Sequence, residues 1–200
     1  MKNCSKKNIM EVGLDEVARG CMFGRVYTAA VIWPEDFVED PNFIIKDSKK
    51  LSKKKREELY YYIIDNAIDW NVNYMEPETI DKINILQATL KSMHINLDNL
   101  MVDIDHILVD GTNFNKYSNI PYTCVEKGDN KYYSIAAASI LAKVEHDWYI
   151  EELCNKNPEL NEKYDLLNNM GYGTKKHMES IKKYGTTKFH RKSFGICKFY

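Results

Sequence analysis

Apolar residues recur along the chain with two periods, and the switches between them set out strands and helices. Residues 9–14 read as a short strand, and 25–33 (RVYTAAVIW) as a nearly continuous apolar strand covered on both faces. Ser52 suits the cap of a helix predicted over 53–70, with Leu59, Ile63, Ala67 and Trp70 as its buried stripe. Residues 71–75 predict a third strand, and Pro77 fits the first turn of a short helix. Leu86, Leu90, Met93 and Leu97 give helical spacing over 85–97, and 107–109 and 122–125 read as two more strands. A long helix is predicted over 134–153, opening on Ala136, Ala137, Ala138 and Ser139, side chains small enough to let it lie close to a sheet. Residues 158–167 and 175–184 add two further helices.

This order predicts a mixed α/β layer fold with a helical tail on one side. The first two strands are joined by a short segment after Arg19, so they form a hairpin and the sheet is not wholly parallel. At 200 residues the chain suits one domain. Roughly 70% of its unfolded surface is buried at that size, so no disulfide or structural metal is needed to hold it. The five cysteines are scattered and form no CxxC pair, which fits reduced thiols in the cytoplasm. No secretory signal and no apolar run of about 18 residues is present, so no membrane span is expected. The net charge of −1 conceals a segregation: residues 46–56 carry seven basic residues and one acid, and residues 171–200 carry eight and one. That pattern suits a polyanionic partner, and equally a solvated lysine-rich surface.

Two acids stand where apolar strands give out. Asp15 is followed by Glu16, and Asp110 precedes Gly111. In layered α/β sheets, groups at strand ends converge where ligands bind. Carboxylates brought that close cannot all stay ionised without a cation. A hard divalent ion is the simplest neutraliser, and a pair of ions about 4 Å apart serves in-line attack on a phosphodiester. The alternative is ordinary turn chemistry, in which an Asp-Gly pair only ends a strand. Asp15 and Glu16 are neighbours, so they face opposite ways unless the strand breaks between them. Ser134 and Ser139 have no His/Asp partner pattern and read as helix-packing residues; no Walker motif occurs.

Read together, the segments GLDEVARGCMFGRV, DSKKLSKKKREEL, INILQATLKSM, ILVDG, EKGDNKYYSIAAASILAKVEHD, GYGTKKH and HRKSF resemble the ribonuclease HII (type 2 ribonuclease H) family. The resemblance runs over about 12–194. It implies a ribonuclease H-like fold with a central mixed five-stranded sheet flanked by helices, as one domain over 1–200 with a helical C-terminal part from about 155. It implies a metal-dependent endonuclease, using Mg2+ or Mn2+, that hydrolyses the RNA strand of RNA–DNA hybrids. Such enzymes also incise 5′ of ribonucleotides embedded in duplex DNA, leaving 3′-hydroxyl and 5′-phosphate ends. A monomer is expected. The family's acidic quartet falls on Asp15, Glu16, Asp110 and Asp129, as catalytic residues and metal ligands. Asp147 also matches a family acid and is placed behind the site; its neighbour His146 reads as a helix-surface histidine.

The resemblance also assigns substrate contacts. Ala18-Arg19-Gly20 matches the Gly-Arg-Gly motif whose backbone reads the ribose 2′-hydroxyl, the group that separates RNA from DNA. Tyr172 matches a tyrosine that packs on the sugar beyond the junction, and Lys49 and Asn84 match backbone-contacting positions. Two departures stand out: Ala18 replaces a glycine, and Arg25 replaces a proline. A methyl at position 18 is expected to crowd the ribose or to forbid a left-handed backbone, shifting selectivity between single ribonucleotides and RNA tracts. The rival readings are a non-catalytic hybrid-binding module and a ribonuclease H restricted to consecutive ribonucleotides.

Overall fold

The computed structural model describes residues 1–200. Its centre is a five-stranded sheet in the order β3-β2-β1-β4-β5. β1 is Glu11–Val17, β2 Val26–Ile32, β3 Asp69–Met75, β4 His106–Asp110 and β5 Tyr122–Val125. β1, β2 and β3 pair antiparallel, and β4 and β5 join on the other side in parallel. The mixed sheet and the hairpin between the first two strands are thus as expected. Every residue of β2 is buried, as its unbroken apolar run requires.

The helices are α1 (Lys53–Asn66), α2 (Pro77–Ile83), α3 (Ile85–Asp98), α4 (Tyr133–Lys156), α5 (Pro158–Tyr164), α6 (Leu166–Asn169) and α7 (Lys175–Tyr184). Alternation along the strands sends Val12, Leu14, Ala30, Ile32, Ile107 and Val109 to one face, against Leu90, Met93 and Leu97 of α3. Ala29 and Val31 point the other way, into a core shared with α1 and α4. α4 lies so close to β1 that a Cβ on Gly13 would sit 2.5 Å from the backbone nitrogen of Ile135. The small residues at the start of α4 make that approach possible.

Several boundaries differ from the sequence reading, by two or three residues at the start of β1 and β3 and the end of α4, and more tellingly at three places. α1 stops at Asn66, because Ala67 turns extended and Trp70 pairs with Val31 in the sheet instead of extending the helical stripe. The predicted helix over 158–167 is two helices, broken at Asp165, which takes a left-handed φ of 59°. β1 runs on to Val17, well past Leu14. The segment after α4 folds back: Leu160, Tyr164, Leu166, Ile181 and Cys197 join the core containing α4 and β2.

Candidate active site

The sheet register brings the acids together. β1 and β4 run parallel, and their pairing stops at Leu14 opposite Val109. The next residue on each strand is Asp15 and Asp110. Both therefore leave the sheet at one level, on the face that carries Gly13 and packs against α4. Asp110 also pairs with Val125 of β5. The chain leaving β5 turns at Lys127, and the N–H of Gly128 donates to Asp110 Oδ1 at 2.6 Å. A Cβ on Gly128 would meet Ile135 Cδ1 at 2.5 Å and Asp110 Oδ1 at 3.3 Å, so a larger residue here would have to displace the Ile135 side chain and crowd the carboxylate. A single 3-10 turn, Gly128–Asn130, then carries Asp129 to the same place.

Asp15, Glu16, Asp110 and Asp129 all line one cavity of about 450 Å3, with Lys49, Lys143 and Tyr172 on its rim. Size does not single it out. A second cavity of the same volume, at the opposite end of β1, also holds acids. Three of its four acids are engaged in structural bonds: Glu11 with Ser5 and His106, Asp105 with the N–H of Met10, Glu35 with the N–H of Asn8, which leaves Asp103 alone. No lysine lines it.

Glu16 reaches the cavity without a break in the strand, contrary to the sequence expectation. β1 stays paired with β2 through Val17. It is β4 that stops pairing, and the missing neighbour opens the edge of β1 to both residues. Glu16 is steadied by Arg19, whose Nη1 stands 3.2 Å from Glu16 Oε1. Burial pushes the Asp15 carboxyl well above its ordinary pKa, and the charges of Glu16 and Asp110 push it further. Ser139 opposes this through its hydroxyl, so a residue read as helix packing is part of the cavity wall. Glu16 and Asp110 are also raised, first by burial; Arg19 opposes the shift at Glu16, and the Gly128 N–H at Asp110.

Behind the cavity stands a charged network. Asp147 receives Lys143 Nζ at 2.7 Å and Arg56 Nη2 at 3.2 Å. Burial works against its ionisation, but His146 and Lys143 outweigh it and hold the carboxyl below the usual range. Asp147 therefore sits on α4 behind the site, as expected. His146 does not lie on the helix surface: it is fully buried, edge-on to the ring of Tyr27, because this face of α4 meets β2.

The remaining positions fall into two groups. Ala18, Arg19 and Gly20 lie beside the cavity and next to Tyr172: the Ala18 backbone bonds the tyrosine, and a Cβ added to Gly20 would stand 3.9 Å from its ring. Ala18 takes φ +67° despite its methyl group, so the substitution strains the left-handed backbone without forbidding it. Lys49 is on the cavity wall. Asn84 is not among the lining residues: it sits exposed at the α2–α3 junction, where its Oδ1 accepts the N–H of Gln87 and caps α3.

The sequence reading missed Arg191. This guanidinium is fully buried and meets no carboxylate. It donates instead to the carbonyls of Ala18 (2.8 Å), Arg19 (3.1 Å), Gly24 (2.9 Å) and Arg25 (2.8 Å). One side chain thus ties the two ends of the 18–25 segment together, while the N–H groups of Met22 and Phe23 bond its middle to the carbonyl of Gly171. The only signal was an arginine in the HRKSF block, indistinguishable in sequence from its lysine neighbours.

Carboxylates gathered at parallel strand ends, flanked by lysines and an exposed tyrosine, on this strand order, define a phosphodiester-cleaving nuclease of the ribonuclease H-like class. The family model described as Ribonuclease HII matches residues 12–197. The chain belongs to the ribonuclease HII family, endonucleases that cleave the RNA of RNA–DNA hybrids and ribonucleotides in DNA. A ribonuclease HII of Bacteroides thetaiotaomicron is 48% identical over 190 residues, 95% of this chain and 92% of that one. The solved ribonuclease H2 of Pyrococcus horikoshii superposes with a TM-score of 0.77 at 26% identity, covering 95% of this chain and 96% of that one. Bst-RNase HIII in complex with Mn2+ shares the fold, with a TM-score of 0.68 at 18% identity, over 95% of this chain and 68% of that one.

Proposed function

We propose that Asp15, Glu16, Asp110 and Asp129 are the catalytic carboxylates and that they hold Mg2+ or Mn2+. The observation that carries this is the register: Asp15 and Asp110, from opposite halves of the chain, follow the last parallel pair of β1 and β4. The donor set fits a hard cation, since every candidate ligand is a carboxylate oxygen. No three His, Cys, Asp or Glu side chains form a closed cage. Mg2+ does not need one, because it is usually held by one or two carboxylates and keeps several waters. A cation also relieves the burial and repulsion that raise Asp15, Glu16 and Asp110. When bound, it supplies a polarised water and charge stabilisation at the scissile phosphate.

The chain's own residues do the rest. Lys49 and Lys143 lie on the cavity wall, where they draw in the phosphate backbone. Lys143 is restrained by Asp147. The backbone of Ala18-Arg19-Gly20, held in place by Arg191, reads the 2′-hydroxyl of the ribose. Tyr172 packs on the next sugar, and Asn84 meets the duplex away from the cavity. The enzyme incises 5′ of the ribonucleotide and leaves 3′-hydroxyl and 5′-phosphate ends. It acts as a monomer in the cytoplasm; no helix is long and apolar enough to cross a membrane. The Ala18 methyl on a left-handed backbone supports a second reading, in which RNA tracts are preferred to single ribonucleotides.

The test is a DNA duplex with one ribonucleotide, incubated with Mg2+ or Mn2+, with the product ends mapped. Asp110→Asn removes cleavage while duplex binding persists. Cleavage retained in that variant rejects the assignment, and binding without cleavage under either metal favours a non-catalytic module.

A further inference from the structure

Two buried histidines meet beneath the Tyr172 turn. His177 of α7 and His190 are 0% and 1% exposed, and their Nε2 atoms stand 3.2 Å apart. Their partners decide where each proton sits. His190 Nδ1 stands 3.0 Å from both the backbone N–H and the hydroxyl of Thr187; the N–H can only donate, so this nitrogen is bare, the hydroxyl can donate to it too, and His190 carries its proton on Nε2. His177 Nδ1 lies 3.0 Å from the carbonyl oxygen of Tyr172, which can only accept, so His177 is protonated there and bare at Nε2. His190 therefore donates to His177, and His177 donates to Tyr172. Aromatic rings enclose the pair: Tyr164 is 4.8 Å from His190 and 5.9 Å from His177, and Phe23 meets His190 edge-on at 5.0 Å. Burial pushes His190 down to about 3 and lowers His177 as well, so both rings stay neutral near pH 7.

Tyr172 needs such a support. It lies between Gly171, with φ +80°, and Gly173, and Met170 before them is left-handed too. Its N–H goes to the carbonyl of Asn169 and its carbonyl accepts the N–H of Thr174, both at 2.9 Å. Asn169 Oδ1 accepts the N–H of Gly171 and Cys21 Sγ reaches the carbonyl of Met170, but His177 is the side chain bonded to the backbone of Tyr172 itself, and the ring projects from it 40% exposed.

We propose that His177 and His190 are positioning residues for Tyr172, an ordered two-ring strut that sets the depth of the tyrosine in the cavity. The proposal rests on reading Tyr172 as the sugar contact. It belongs to the C-terminal part of the chain and leaves the carboxylate chemistry untouched.

A double-mutant cycle tests it, with kcat/KM measured on a duplex carrying one ribonucleotide followed by DNA. Tyr172→Ala and His190→Leu each lower kcat/KM, on the order of tenfold. His190→Leu costs nothing further when Tyr172 is already alanine, and His190→Gln, whose amide can donate in place of Nε2–H, restores most of the rate. Losses that multiply overturn the strut alone, since they show His190 acting elsewhere. An unchanged Tyr172→Ala overturns the sugar contact, and the strut with it. The imidazole nitrogen spectrum of the unsubstituted protein gives a readout that no folding defect can obscure. His177 protonated at Nδ1 and His190 at Nε2 support the proposal; the reverse tautomers overturn it.

Discussion

Replacing Arg191 by methionine removes the four hydrogen bonds that hold residues 18–25. A hydrogen bond from a charged donor contributes about 1.5–3 kcal/mol, so their gross worth is on the order of 6–12 kcal/mol. Much of that is offset, because the variant no longer buries a cation, at a cost of several kcal/mol. Burial already lowers the Arg191 pKa to about 10, a sign of that cost, though the group stays charged at neutral pH. The carbonyl of Ala18 also keeps a second donor, the N–H of Cys21 at 3.2 Å. The remaining balance is a loss of about 3–5 kcal/mol, the range for removing one partner of a buried charged arrangement. Arg191→Lys keeps the charge but has three donors and no planar fork, so about half of that loss is expected. Urea unfolding followed by circular dichroism measures both, with an unchanged slope confirming the same unfolded reference. A loss below about 1 kcal/mol for the methionine variant refutes the claim that these bonds tie the two ends of the segment together.

Gly13→Ala places a methyl group 2.5 Å from the backbone of α4. A destabilisation of about 3 kcal/mol follows from such overpacking, and an unaltered melting temperature contradicts it. His190 has a pKa lowered to about 3, so below about pH 6.5 the unfolded chain binds the extra proton and stability falls as pH drops. By pH 5 that loss is about 2 kcal/mol. Because the raised carboxyls of Asp15, Glu16 and Asp110 act in the opposite sense, the measurement is the difference between the unsubstituted protein and His190→Gln at pH 7 and pH 5. A pH-independent difference rejects the burial argument. Ala18→Gly relieves a left-handed strain of about 1 kcal/mol but adds a similar backbone entropy cost, so stability changes little. The ratio of rates on single-ribonucleotide and RNA-tract substrates shifts; a constant ratio rejects a role for the methyl group in selectivity.

Much of the fold was legible because its cues are local. The unbroken apolar run of β2, the Ser52 cap and the small residues opening α4 each declare themselves within a few positions. The limit of α1 was not legible, since Trp70 fits a helical stripe as well as the strand pairing it makes with Val31. Asp15 and Asp110 stood out as charges at strand ends, but their adjacency depends on a register between distant segments, which periodicity does not encode. The same holds for Glu16, where the deciding feature is the early end of β4 and not the course of β1. Arg191 and the two histidines were hidden most deeply. Their partners are backbone carbonyls and one another, and no local pattern announces a buried polar group whose partner lies far along the chain.

The parallel pairing of β1 with β4 has a consequence for how the molecule comes into being. Such pairing between remote segments closes late, after the loop entropy of the intervening chain has been overcome. A nascent or partly collapsed chain can already expose its lysine-rich segments and cling to nucleic acid. On the proposed assignment of Asp15 and Asp110 it has no cutting centre until β4 docks, and the ability to damage a polynucleotide arrives only with the finished sheet.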